Sequence, residues 1–151
     1  MPSITTFLTF DSQAEQAVRH YLSIFDGKIV STMPGPGDTV MGVSFELLGR
    51  SFFALNGGPS FTFSPGISLY VEVDTQEEID RAWSLLLAGG GKEIQCGWLV
   101  DKFGVSWQIV PRILPVLFAD EDREKAGRAV QAMMGMHKLD IAALQKAFDG
   151  A

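Results

Sequence analysis

The chain is poor in the residues that carry most metal and nucleophilic chemistry. Among its 151 residues there is one cysteine, Cys96, and there are two histidines, His20 and His137. A single cysteine excludes an intramolecular disulfide and fits a reducing compartment. The two histidines are too far apart in sequence to read as a metal pair, and each reads as a surface or packing residue. No HExxH, no paired cysteines and no Asp-rich loop occur, so no metal site is expected. Cations are scarce too: 12 Lys and Arg stand against 18 Asp and Glu, a formal net charge of −6. That excludes general nucleic-acid binding, which rests on cations neutralising phosphates, and docking on anionic lipid. No run approaches the roughly 20 apolar residues of a spanning helix. The N-terminal "MPSITTFLTFD" lacks the basic and apolar regions of a signal peptide. A cytoplasmic protein without membrane or nucleic-acid partners is the expectation. Phosphate loops are also missing, because "PGPG" (34–37) and "NGGP" (56–59) lack the Lys-Ser/Thr ending of a P-loop.

What is present is one layout written twice. "ITTFLTFD" (4–11) is β-rich and is followed by "SQAEQAVRHYLSIFDG" (12–27). Ala14, Ala17, Val18, Tyr21, Leu22 and Phe25 form a helical stripe there. Ser12 and Glu15 have capping-box spacing, and Gly27 is placed as a C-cap. "ISLYVEVD" (67–74) and "TQEEIDRAWSLLLAGG" (75–90) repeat this, with Thr75 and Glu78 as the box and Gly89–Gly91 as the stop. Asp11 and Asp74, Ser12 and Thr75, and Gly27 and Gly90 are each 63 residues apart. Each predicted helix precedes a short β-like piece and then a strand-turn-strand: "GVSFELLGRSFFALNG" (42–57) and "CGWLVDKFGVSWQIVP" (96–111).

The pattern predicts two β-α-β-β-β modules within one domain: module one at 3–57, a linker at 58–66 and module two at 67–111. A tail at 112–151 follows. "PRILPVLFADED", with its prolines, reads as an extended connector. Beyond it Ala126, Ala129, Val130, Met133 and Met134 form one helical stripe. A second helix starts at Asp140, with Ile141, Leu144, Ala147 and Phe148 apolar. Apolar helices appended to a sheet cover a neighbour, in the same chain or in a partner.

Alternation assigns strand faces. Leu69, Val71 and Val73 share a face suited to packing under a helix, and Ser68, Tyr70 and Glu72 share the other. Trp107 and Ile109 oppose Ser106, Gln108 and Val110, while Cys96, Trp98 and Val100 fall on one face. The aromatics Tyr70 and Trp98 among small polar groups suit the lining of a ligand cleft, whereas Glu72 suits a solvated sheet face. Gln108 reads either as a hydrogen-bond donor to a substrate carbonyl or oxyanion, or as a buried amide tied to backbone. Cys96 reads either as a nucleophile, with Lys92 and Lys102 the nearest cations in sequence, or as a small packed residue. Asp101, ahead of "KFG", reads as a turn residue before it reads as a general base.

The paired modules resemble the vicinal oxygen chelate (glyoxalase/bleomycin resistance/dioxygenase) superfamily. "CGWLVDKFGVSWQIVP" and the tail "AGRAVQAMMGMHKLDIAALQKAFDG" resemble its PhnB-like branch, whose domain label is 3-demethylubiquinone-9 3-methyltransferase. The resemblance spans residues 3–150 and implies an α+β fold, a curved, open barrel-like mixed sheet with a cleft, and a homodimer. In the superfamily's metal enzymes four strands each give one His or Glu to a divalent ion. Carried over, those positions fall on Thr5 or Thr6, Phe53 or Ala54, Ser68 and Gln108, none of which is a carboxylate or imidazole. The resemblance thus implies a cleft lined by Thr6, Phe53, Ser68, Tyr70, Cys96, Trp98, Ser106 and Gln108, with no metal and no cofactor. Its expected function is metal-independent binding of a small organic molecule, with turnover left open and Gln108 and Cys96 as the groups for it. The alternatives are a metal-dependent lyase or dioxygenase and the quinone-pathway methyltransferase of the label. No Gly-rich turn follows an early strand to hold a nucleotide-type cofactor for the latter.

Overall fold

The order of elements repeats as the sequence does, and the 63-residue offset holds for the first strand of each module. A computed structural model describes residues 1–151, and the chain divides into two compact units, Met1–Phe63 and Ser64–Ala151. In the first, β1 (Thr6–Phe10) leads into α1 (Ala14–Ile24). Then come β2 (Gly27–Pro34), β3 (Val40–Leu47) and β4 (Arg50–Asn56). In the second, β5 (Leu69–Val73) leads into α2 (Gln76–Leu87), followed by β6 (Lys92–Glu93), β7 (Trp98–Val100) and β8 (Ser106–Pro111). The sheet orders are β1-β4-β3-β2 and β5-β8-β7-β6. In each, only the first and last strands of the module pair in parallel, and the other pairs are antiparallel. The fold is α+β, with two unclosed mixed sheets.

Both helices bury most of their apolar stripes, while Leu22, Phe25 and Leu87 are only half-buried. α1 buries Ala14, Ala17, Val18, Tyr21 and also Ile24. α2 buries Ile79, Ala82, Trp83 and Leu86. Full burial of such a side chain contributes about 1.5–3 kcal/mol.

Their N-termini are solved differently. Thr75 and Glu78 form the predicted capping box: the Glu78 N–H donates to Thr75 Oγ1 at 3.1 Å and the Thr75 N–H donates to Glu78 Oε1 at 3.0 Å. The matching box at Ser12 and Glu15 does not form. The N-cap of α1 is Gln13, without a side-chain bond. Instead Asn56, at the end of β4, accepts from the Ala14 N–H at 2.8 Å and donates to the Val40 carbonyl at 3.2 Å. Gly27 is not a C-cap either. α1 closes at Phe25 in extended conformation and Gly27 opens β2, where a Cβ would run into the Glu46 carbonyl of β3.

The tail departs from expectation at 112–122. The supposed extended connector contains a helix, α3 (Ile113–Phe118). Pro115 is its third residue, where no intrahelical N–H bond is due, so the proline is tolerated. α4 (Arg123–Met134) and α5 (Ile141–Asp149) follow, the latter capped by Asp140, which accepts from the Ala143 N–H at 3.0 Å. Leu114, Leu117, Ala129, Leu139, Leu144 and Phe148 bury themselves against Val110 of β8. The tail's apolar stripes are therefore covered mainly inside their own unit, and they supply no argument for a partner chain.

A strap between α4 and α5 holds the tail in place. The Cys96 and Gly97 N–H groups donate to the Met136 and His137 carbonyls at 2.7 and 2.8 Å. Gln76 of α2 donates to the Leu139 carbonyl at 3.0 Å and accepts from the Ile141 N–H at 2.8 Å. Lys138 pairs with Asp80 at 2.8 Å.

Candidate functional site

The register of the second sheet builds a row. Tyr70 on β5 is the partner of Gln108 on β8, and Gln108 is the partner of Trp98 on β7. Side chains of partnered residues project from the same face. Tyr70, Gln108 and Trp98 thus stand side by side across three strands. The adjacent row, Leu69, Trp107 and Leu99, projects from the opposite face, where Trp107 and Leu99 are buried.

The Tyr70–Gln108–Trp98 row floors a pocket of about 360 Å³ inside the second unit, within the span of ligand sites, roughly 300–1,000 Å³. Leu114, Pro115 and Phe118 of α3 form one wall. Val110, Met133 and Cys96 complete the lining. No lining residue carries a formal charge at neutral pH. The phenol of Tyr70 is protonated at neutral pH as any phenol is, and burial, with the nearby Glu72 carboxylate adding to the effect, pushes its pKa further up. Gln108 Nε2 donates to Ser68 Oγ at 2.9 Å, which leaves the amide carbonyl oxygen without a protein partner.

Four predicted residues therefore converge here, Tyr70, Cys96, Trp98 and Gln108, with Ser68 behind them. Cys96 arrives by a different route from the one expected. It is not on the strand; it occupies a turn before β7 at φ +63°, followed by Gly97 at φ +84°. Ser106 shares the face of Gln108 but is only 3% exposed and does not line the pocket. Thr6 and Phe53 belong to the first unit. Phe53 is the register partner of Phe7 and stacks on it at 4.9 Å between centroids, whereas Thr6 projects from the opposite face with Leu8 and Phe10. The α3 residues were missed because the prolines masked a helix. The i, i+4 pair of Leu114 and Phe118 was the signal available.

Asp101 proves to be a clamp. It is 3% exposed. One carboxylate oxygen accepts the Phe103 and Val105 N–H groups at 2.8 and 3.0 Å, and the other accepts the Trp107 indole N–H at 2.9 Å. Its role is to shape the β7–β8 turn, which sets the register that places Gln108 opposite Trp98. His20 is half-buried on α1 against Tyr21, and His137 is exposed in the strap.

The positions corresponding to the superfamily's metal ligands do not fit a divalent ion. Ser68 and Gln108 bond to each other as neutral groups, and the others are threonine, phenylalanine or alanine. No three His, Cys, Asp or Glu side chains are grouped to hold a metal ion. Nor is either strand-to-helix junction an open anion site. The α1 N-terminus is taken by Asn56 and the α2 N-terminus by Thr75. No helix is long and apolar enough to cross a membrane.

Comparison with known proteins places this geometry. A family model described as 3-demethylubiquinone-9 3-methyltransferase matches residues 2–110. A PhnB protein from Bacillus cereus is 39% identical over 73% of this chain and 99% of its own, with a TM-score of 0.66. Protein PA1353 from Pseudomonas aeruginosa shares the fold at 21% identity, covering 74% of this chain and 98% of its own, TM-score 0.62. A glyoxalase/bleomycin resistance protein from Albidiferax ferrireducens shares it at 15% identity, covering 72% and 96%, TM-score 0.52. No curated protein matches. Much of the pocket wall, from α3 and Met133, lies beyond the matched segment.

Proposed function

This chain belongs to the 3-demethylubiquinone-9 3-methyltransferase family, the PhnB-like branch of the glyoxalase/bleomycin resistance superfamily, and from that premise we propose that it binds a small organic molecule without a metal. The observation that carries the reading is the Tyr70–Gln108–Trp98 row roofed by α3, an apolar pocket with a few placed polar groups. Tyr70, Gln108 and Trp98 contact the ligand, Cys96 borders it, and Ser68 orients the Gln108 amide. Where turnover occurs, Gln108 and Cys96 are the groups for it, as polariser and nucleophile. The two units act as one glyoxalase-like domain in a homodimer. In support, a single chain leaves Phe7 57% and Ile67 78% exposed, a cost that association removes.

The test is a thermal-shift screen of uncharged organic compounds beside a divalent-metal panel and S-adenosylmethionine, on protein purified without a metal-affinity tag. A ligand at a hundred times its Kd adds about 2.7 kcal/mol to native stability. Organic hits that the Gln108→Leu and Trp98→Ala variants lose support the reading. Stoichiometric metal, with stabilisation on adding it back, replaces it with chelation chemistry. Saturable S-adenosylmethionine binding replaces it with methyl transfer, the second reading, which the family description favours. Sedimentation equilibrium decides the dimer, and a monomer at micromolar concentration refutes it.

A further inference from the structure

We infer that the pocket's ligand is an uncharged molecule with an apolar body and one edge on which an N–H or O–H donor sits beside a carbonyl, as in a lactam or amide. This inference rests on the pocket being the binding site and adds the class of molecule that it takes. Three observations carry it.

The first is the lining. Its nine residues include no Asp, Glu, Lys, Arg or His. A charged ligand group buried there meets no countercharge, and burial of an unpaired charge is strongly unfavourable. The second is the state of the floor's polar atoms. Gln108 gives one N–H to Ser68 and keeps a carbonyl oxygen that no protein donor meets. Such an acceptor, covered by a ligand, requires a donor from that ligand. The third is the register. Tyr70 and Trp98 flank Gln108 on the two neighbouring strands, each carrying a donor, the phenol O–H and the indole N–H, and Tyr70 is 49% exposed, open to a ligand. A residue with an open acceptor thus stands in register between two residues that carry donors. The complementary ligand edge presents a donor next to an acceptor, while the apolar residues of α3 cover its body. The protonated state of the Tyr70 phenol agrees with its donor role.

Three probes of one shape test this: 2-quinolone, whose ring N–H adjoins its carbonyl; N-methyl-2-quinolone, which lacks the donor; and quinoline-2-carboxylate, which is an anion. Each is titrated into isotope-labelled full-length protein, following the Trp98 indole and Gln108 side-chain amide signals. Saturable binding of 2-quinolone is expected, with N-methylation and the carboxylate each weakening it by about tenfold or more, the order of one lost hydrogen bond or one unpaired charge. In Gln108→Leu the lactam and its N-methyl form converge to within about threefold, while retained signals from Trp98 report an intact fold. Equal binding of the carboxylate, or less than about a threefold effect of N-methylation in the wild type, overturns the inference. So does the absence of binding by all three probes. If the broader organic screen still gives hits in this pocket, the binding reading stands and only the ligand class falls. If that screen is also empty, both fall.

Discussion

Replacement of Asp101 by alanine removes the acceptor for three N–H groups at 2.8–3.0 Å. Hydrogen bonds to a charged group contribute about 1.5–3 kcal/mol each. Phe103 is only half-buried, so water replaces the lost acceptor there. Val105 and Trp107 are buried, at 4% and 1% exposure, so water does not replace the lost carboxylate at their donors. Two stranded donors, less the desolvation relieved by losing a buried carboxylate, give an expected loss of about 3–4 kcal/mol. At about 2–4 °C per kcal/mol for a chain of this size, Tm falls by roughly 6–16 °C. Asp101→Asn keeps one oxygen for the two backbone donors but turns an NH₂ toward the indole N–H, so about half the loss is expected. The assay is urea unfolding followed by tryptophan fluorescence. All three tryptophans, Trp83, Trp98 and Trp107, lie in the second unit, so the signal reports that unit alone. A loss below about 0.5 kcal/mol in Asp101→Ala, the range of an ordinary surface change, refutes the clamp. The general-base reading of this carboxylate then returns.

Three further outcomes are expected. Asn56→Ala destabilises the first unit by about 1 kcal/mol through the lost cap on α1, while Ser12→Ala is neutral within about 0.5 kcal/mol; circular-dichroism melts of the two variants decide between the long-range cap and the local one. Gln76→Ala removes two strap bonds and speeds amide hydrogen exchange at Ile141 by about tenfold, corresponding to about 1.4 kcal/mol; unchanged exchange means that the strap is held elsewhere. Hydrogen bonds from Lys138 and then Gln76 hold the Asp80 carboxyl below its usual 3.8. A depressed folded pKa stabilises above the unfolded value and is lost as pH falls through the folded one. Carbon-detected titration therefore shows an Asp80 midpoint below 3.8 that rises in Lys138→Met, and a midpoint unmoved by that change removes the pair from the account.

The parts legible in the sequence are those governed by neighbours in the chain. Alternation set Tyr70 and Gln108 on the open face and Val71 and Ile109 on the buried one. Thr75 and Glu78 were a true capping box because both partners sit within one turn. Ser12 and Glu15 have the same spacing and yet form none, because Asn56, 42 residues away, reaches the helix end first. Spacing alone cannot encode such a competitor. Cys96 was misplaced for a similar reason. Alternation with Trp98 and Val100 suggested strand, whereas the tail's carbonyls at Met136 and His137 engage the Cys96–Gly97 turn. In α3 the prolines outweighed the Leu114–Phe118 spacing, although a proline at the third helical position breaks no bond.

The strap has a consequence for how this molecule divides its labour. The sheet supplies the polar atoms, and all of them lie inside the segment matching the family. The shape that those atoms see is moulded by residues after 111, held down by contacts to Cys96, Gly97, Gln76 and Asp80. Grammar and vocabulary are thus written in different stretches of one chain. A chimera that exchanges 112–151 for another docked tail, keeping Gln76, Asp80 and the Cys96–Gly97 turn, changes which molecules fit while leaving the hydrogen-bonding row untouched.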